Sequence, residues 1–246
     1  MIGVLLYRDW LNIKKNGISL LVIFTMLPML LHLFLSIPLS NIISLDVRYL
    51  NWAAPGIWVT TSGLLAFCIA TLRMKKIKHD SGQLDALLKT PLRNSEIIFS
   101  VIIMATLLGL VQVLISIAIT VLLNNENLGF AQIILILLQI IPLINFYAIL
   151  GTLLGIFIKN GIVLISIILL MFLILALSIG SFLPLTIFPT NYANVVSLLP
   201  LTSIINSCQM IIQNGTVTYI GIFLTFLLNI FLFLLTIVVS YKTFRK

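Results

Sequence analysis

The side chains able to do chemistry are few and scattered. Asp80 and Asp85 lie five residues apart with His79 beside them, and they are not arranged as the D-x-x-D pair that would hold a catalytic metal. His79 reads as a solvated loop residue. Cys68 and Cys208 have no Cys-x-x-Cys or His-rich context, so neither a disulfide framework nor a zinc site is expected. The chain carries no G-x-x-x-x-G-K-[ST] phosphate loop, no H-E-x-x-H and no G-x-S-x-G. Catalysis by this chain alone is not expected, and no cofactor is expected in it.

The elements that must position these residues are membrane spans. The chain has 246 residues, 61% hydrophobic and 8% charged, with a mean hydropathy of +1.24; a soluble domain carries about 25% charged residues. Roughly 20 apolar residues in a helix cross a hydrocarbon core of about 30 Å. Six runs qualify: Gly17–Leu39, Ala53–Leu72, Ile97–Leu123, Leu128–Ile158, Gly161–Leu183 and Tyr219–Tyr241. The fourth is longer than a bilayer requires, so a tilt or bend is expected, at Pro142, which lacks the amide donor. The first is too long for a signal-peptide core and reads as a retained span. With no repeat or soluble linker, residues 1–246 read as a single all-α transmembrane domain.

A formal charge of +8, from 14 Lys+Arg against 6 Asp+Glu, would suggest nucleic acid in a soluble protein. In a membrane chain it reports orientation, and no nucleic-acid partner is expected. Arg8, Lys14, Lys15, Arg73, Lys75, Lys76, Lys78, Lys89, Arg93, Lys159, Lys242, Arg245 and Lys246 fall on one side of the six-span layout, and Arg48 alone falls on the other. That bias places both termini in the cytoplasm, and five or seven spans would spoil it. The runs contain no Asp, Glu, Lys or Arg, which argues against proton or sodium coupling. His32, the one ionisable group inside a run, reads as a neutral structural imidazole. Gln112, Gln139, Asn145 and Asn229 are expected to hydrogen-bond between helices.

Three segments are not spans. Ile2–Lys15 alternates in helical fashion, with Leu5, Tyr7, Trp10 and Leu11 on apolar faces and Arg8, Asn12 and Lys15 at i, i+4, i+7. An interfacial helix against anionic lipid is the expectation. The loop from Arg73 to Glu96 holds six of the 14 basic residues. In it, Asp80 to Pro91 reads as a short helix stopped before the proline, with Leu84, Leu87 and Leu88 on one face that needs a cover of lipid or protein. Asn94 is the expected N-cap of the third span, with Glu96 in its first turn. The third segment, residues 184–218, has no charge. Within it, Pro200 opens and Gly215 closes an amphipathic helix: Leu201, Ile204, Ile205, Cys208, Ile211 and Ile212 share one face, and Thr202, Ser203, Asn206, Ser207, Gln209 and Gln213 the other. At about 20 Å it is too short to span. It should lie at the outer surface or be re-entrant, its polar face lining the end of a pathway.

These features together resemble the permease subunits of ABC-2 type exporters. The family's run E-x-G-T-L-E-x-L-L-x-T-P is matched by Asp80-Ser81-Gly82-Gln83-Leu84-Asp85-Ala86-Leu87-Leu88-Lys89-Thr90-Pro91, its Ala-Pro-Gly by Ala54-Pro55-Gly56, and its Pro-Leu-Thr by Pro200-Leu201-Thr202. Gln83 stands for the Thr and Asp85 for the second Glu. The resemblance implies a coupling helix, with Asp80, Gly82, Leu84, Asp85, Leu87, Leu88 and Pro91 docking on a separate ABC ATPase present in two copies. It implies an outer gate at Pro200, Thr202, Ser203, Asn206 and Gln209. It further implies a second permease copy in a homodimer, ATP and Mg bound by the partner, and a multi-pass place in the bacterial inner membrane. Within the family the drug or lipo-oligosaccharide branch is the nearest likeness, with haem-exporter-type and polysaccharide-exporter subunits as alternatives. A membrane-embedded enzyme of lipid or isoprenoid metabolism, and an anchoring or assembly factor, are the readings from other classes.

Overall fold

The computed structural model describes residues 2–15, 17–43, 48–80, 83–90, 92–124 and 128–244, with the backbone alone for Asp80. Among them there is no strand. Ten helices follow one another: α1 Ile2–Lys15, α2 Gly17–Ser40, α3 Tyr49–Lys75, α4 Gln83–Leu88, α5 Asn94–Asn124, α6 Phe130–Phe157, α7 Gly161–Ser178, α8 Thr190–Ser197, α9 Pro200–Asn214 and α10 Ile220–Phe244. Six of them (α2, α3, α5, α6, α7 and α10) are long and apolar enough to cross a membrane, which agrees with the six runs.

Burial is concentrated on α3, which packs along α6 and α5. Small residues permit this. A Cβ on Gly151 would stand 2.5 Å from the Phe67 carbonyl oxygen, and one on Gly155 would stand 2.7 Å from that of Thr71. The Gly151-x-x-x-Gly155 spacing therefore lets two backbones meet at van der Waals distance, the usual device where lipid removes the hydrophobic drive between helices. Trp58, Phe67, Met74, Ile144 and Tyr147 fill the resulting core.

All four amides singled out above reach a neighbouring segment. Gln112 Nε2 donates to the Phe24 carbonyl at 3.1 Å, and Gln139 Nε2 to that of Thr218 at 3.2 Å. Asn145 Oδ1 accepts from Thr106 Oγ1 at 3.3 Å, and Asn229 Nδ2 donates to the Pro142 carbonyl at 2.8 Å. His32 is buried, its Nε2 2.9 Å from Thr120 Oγ1, which also accepts from Trp58 Nε1 at 2.9 Å. A π turn, His32–Ser36, lies at this point of α2.

Two boundaries differ from expectation. The fifth span ends at Ser178 rather than Leu183, because Gly180 takes a positive φ of 77° and the chain turns back into the bundle. Ser181 and Phe182 are buried against α3, where Gly56 leaves no room for a side chain beneath the Ser181 carbonyl. The N-cap of α5 is Arg93, not Asn94: the Glu96 carboxylate reaches back to the Arg93 amide at 2.9 Å while the Glu96 amide donates to the Arg93 carbonyl. α8 and α9 meet at 85°.

Candidate functional site

Two regions gather the residues singled out from the sequence, one at each end of the bundle. At the basic end, α3 runs on through a π turn, Lys76–Asp80, toward α4. Gly82 and Pro91 lie outside the described residues, as does the side chain of Asp80. Leu84 and Leu87 are each only 8% exposed and belong to the main apolar core with Met74, Ile77 and Ile97. Leu88, at 38%, and Asp85, Ala86 and Lys89 face outward.

The cover that this leucine face calls for is, for Leu84 and Leu87, the bundle itself. Successive helical residues turn by about 100°, so Leu84, Leu87 and Leu88 do share a stripe, but its centre between Leu84 and Leu87 roots α4 in the bundle. Leu88 is left at the rim. The Thr90 hydroxyl closes the helix on the Leu87 carbonyl at 2.5 Å. What α4 offers to a partner is a mixed surface of Asp85, Leu88 and Lys89.

Beside α4 lies a contact for which no expectation was drawn from the sequence. Asp9 of α1 is 3% exposed, and the Arg73 guanidinium at the end of α3 grips both its carboxylate oxygens, with Nε at 3.2 Å from Oδ2 and Nη2 on Oδ1. Arg8 Nε adds a third bond to Oδ1 at 3.3 Å. A two-pronged guanidinium–carboxylate contact is directional and strong, and it ties the amphipathic helix α1 to the end of α3. The available signal was that Asp9 is the one acid in α1 and stands four residues after Leu5, on the buried side of the helix.

A cavity of about 380 Å³ opens next to the pair, lined by Asp9, Asn12, Ser19 and Arg73 at its polar end and by Leu20, Ile23, Ile69, Val101 and Met104 beyond. His79 is a further correction: its ring is held, with Nε2 3.1 Å from the Ile156 carbonyl, rather than free in a loop.

At the opposite end α9 begins with Pro200 in its first turn and stops at Gly215, whose φ of 68° is the left-handed cap expected. Its environment is not the two-faced one expected. Thr202, Ser207 and Gln209 are buried along with Ile204, Ile205, Cys208 and Ile211, because α9 is wedged against α3, α6 and α10. Gln209 Nε2 donates to the Trp52 carbonyl at 3.1 Å, and Ser207 Oγ accepts from the Thr218 amide at 3.1 Å. Ser203 abuts Gly221, where a Cβ would stand 2.8 Å from its Oγ. Asn206 and Met210, one turn apart, face outward. Of the five residues assigned to this end, Thr202 and Gln209 are thus buried in the protein, Pro200 and Ser203 are half-buried, and Asn206 alone is open.

Comparison with protein families gives one finding and one blank. No curated protein matches the chain. A family model described as "ABC-2 family transporter protein" matches residues 49–242, from the start of α3 to the end of α10.

Proposed function

The chain belongs to the ABC-2 transporter family and is a permease subunit of an ABC transporter; on that premise we propose that it forms the substrate pathway of an ATP-driven exporter and receives its power stroke through α4. Family membership implies an ABC ATPase partner. In this reading two ATPase copies bind ATP and Mg, a second permease copy completes the pathway, and this chain binds no nucleotide itself. The whole chain works as one transmembrane unit. The basic end faces the cytoplasm of a bacterial cell, with both termini there, and α8 and α9 form the extracytoplasmic gate, α9 dipping inward as a re-entrant element.

The observation that carries the coupling assignment is the rooting of α4. A lever must transmit force to the span it moves, and Leu84 and Leu87 bury into the same core as Met74 and Ile77 of α3 and the following turn. Displacement of α4 by a partner therefore moves α3, the most buried helix of the bundle, rather than a slack loop. Packed helices of this kind switch between discrete arrangements. Asp85, Leu88 and Lys89 supply the face to be gripped; Asp80, Gly82 and Pro91 flank it.

The test is co-purification of the permease with its ATPase from membranes. Asp85→Arg with Leu88→Asp, both on exposed positions, should abolish the association while the permease keeps its abundance and melting temperature. Undiminished association in that variant refutes the docking assignment.

A further inference from the structure

The C-terminal end of α6 is met by two basic side chains from the turn after α3. Lys78 Nζ donates to the Ile156 carbonyl at 2.9 Å, and His79 Nε2 approaches the same oxygen. The negative end of a helix dipole attracts cations, which accounts for these contacts. It does not account for Lys159. That residue lies exposed in the turn between α6 and α7 and lines one cavity of about 360 Å³ together with Lys78, His79, Ile156, Phe157 and Thr243.

Lys78 and Lys159 both line this hollow, and no described carboxylate does. Lys78 has three N–H donors and spends one on Ile156. Two like charges held at one cavity are unfavourable unless an anion lies between them. Phosphate is the chemistry that fits, since its oxygens accept from several ammonium donors at once.

The surroundings select the source of that phosphate. Phe157 at the rim is 57% exposed, and Ile162 and Val163, just inside α7, are 73% and 47% exposed. Exposed apolar side chains thus stand at the rim and at the start of the next candidate span, and a free anion gains nothing from them, whereas acyl chains do. We propose that this cavity binds an anionic phospholipid, its phosphate between Lys78 and Lys159 and its chains along Phe157 and α7. Placement of that lipid in the inner leaflet rests on the orientation proposed above; the phosphate contact does not.

The test is native mass spectrometry of the purified permease in detergent, titrated with phosphatidylglycerol and, separately, with phosphatidylcholine and inorganic phosphate. Phosphatidylglycerol should be retained in preference to phosphatidylcholine, with binding about fivefold weaker for each lysine removed and roughly 25-fold weaker in Lys78→Gln with Lys159→Gln. Arg93→Gln, exposed at the same end but outside the cavity, should bind as the parent does. Should Lys78→Gln fail to fold, Lys159→Gln alone, at an exposed turn, carries the fivefold prediction.

Three results overturn the proposal: retention unchanged in the cavity variants, an equal loss in the Arg93 control, or displacement of the lipid by millimolar inorganic phosphate. Because the assay needs neither the ATPase nor a membrane, its failure is separate from failure of the transport reading.

Discussion

Arg73 holds the buried Asp9 carboxylate through both oxygens, so that the amphipathic first helix and the end of the most buried span form one rigid corner. In the proposed mechanism α4, which begins at Gln83, is the lever. Any force applied to α4 thus reaches α1 as well as α3, and the corner is a part of the transmission in the proposed mechanism.

Removing one member of this pair leaves a buried charge without its partner, which costs about 3–5 kcal/mol. Asp9→Ala should accordingly lower the melting temperature of the detergent-solubilised permease. Exchange of the two, Asp9→Arg with Arg73→Asp, should recover part of the loss. A melting temperature in Asp9→Ala equal to that of the parent would show that the contact contributes nothing.

Gly151 and Gly155 should tolerate no side chain. A methyl at Gly151 meets the Phe67 carbonyl, a backbone atom that cannot rotate away, and overpacking of this kind costs about 1–3 kcal/mol. Gly161 has nothing within 4 Å of its would-be Cβ, so Gly161→Ala is the matched control. Thermal unfolding of Gly151→Ala, Gly155→Ala and Gly161→Ala checks this, with the first two reduced and the third unchanged.

Substitution on the two sides of α4 should separate folding from docking. Leu84→Asp or Leu87→Asp drives a carboxylate into the apolar core and should reduce the amount of folded permease in membranes, since an unpaired buried charge costs several kcal/mol. Leu88→Asp should not. Comparing membrane abundance of the three variants by quantitative blotting decides it; equal abundance would mean that Leu84 and Leu87 are not anchored.

The outer end separates in the same way. Asn206→Lys adds a charge at an open position and should stop export without lowering abundance, whereas Gln209→Lys loses the bond to the Trp52 carbonyl and buries an ammonium, so it should lower abundance itself. Gln209→Ala should cost about 1 kcal/mol, the net worth of an ordinary hydrogen bond. Export at the parental rate by Asn206→Lys would count against a gate at this helix.

The sequence alone determined the six spans, the proline and glycine that bound α9, and the four amides that reach across to a neighbouring segment. Each is a local property: length of an apolar run, a residue that lacks a donor or tolerates positive φ, or a polar group that has no water to turn to in lipid. It determined also that α4 and α9 have faces, because a period of 3.6 residues is written in the residue types. Only the tertiary structure decided what those faces meet. Leu84 and Leu87 turn inward while Leu88 does not, and Thr202 and Gln209 are sealed against α3 and its neighbours on what the pattern marks as a solvent side. Asp9 finds Arg73 across 64 positions of chain, and past Ser178 the chain turns at Gly180 so that Ser181 packs on Gly56. Burial and pairing of this sort depend on which distant segments are brought together, and no window of neighbouring residues contains that information.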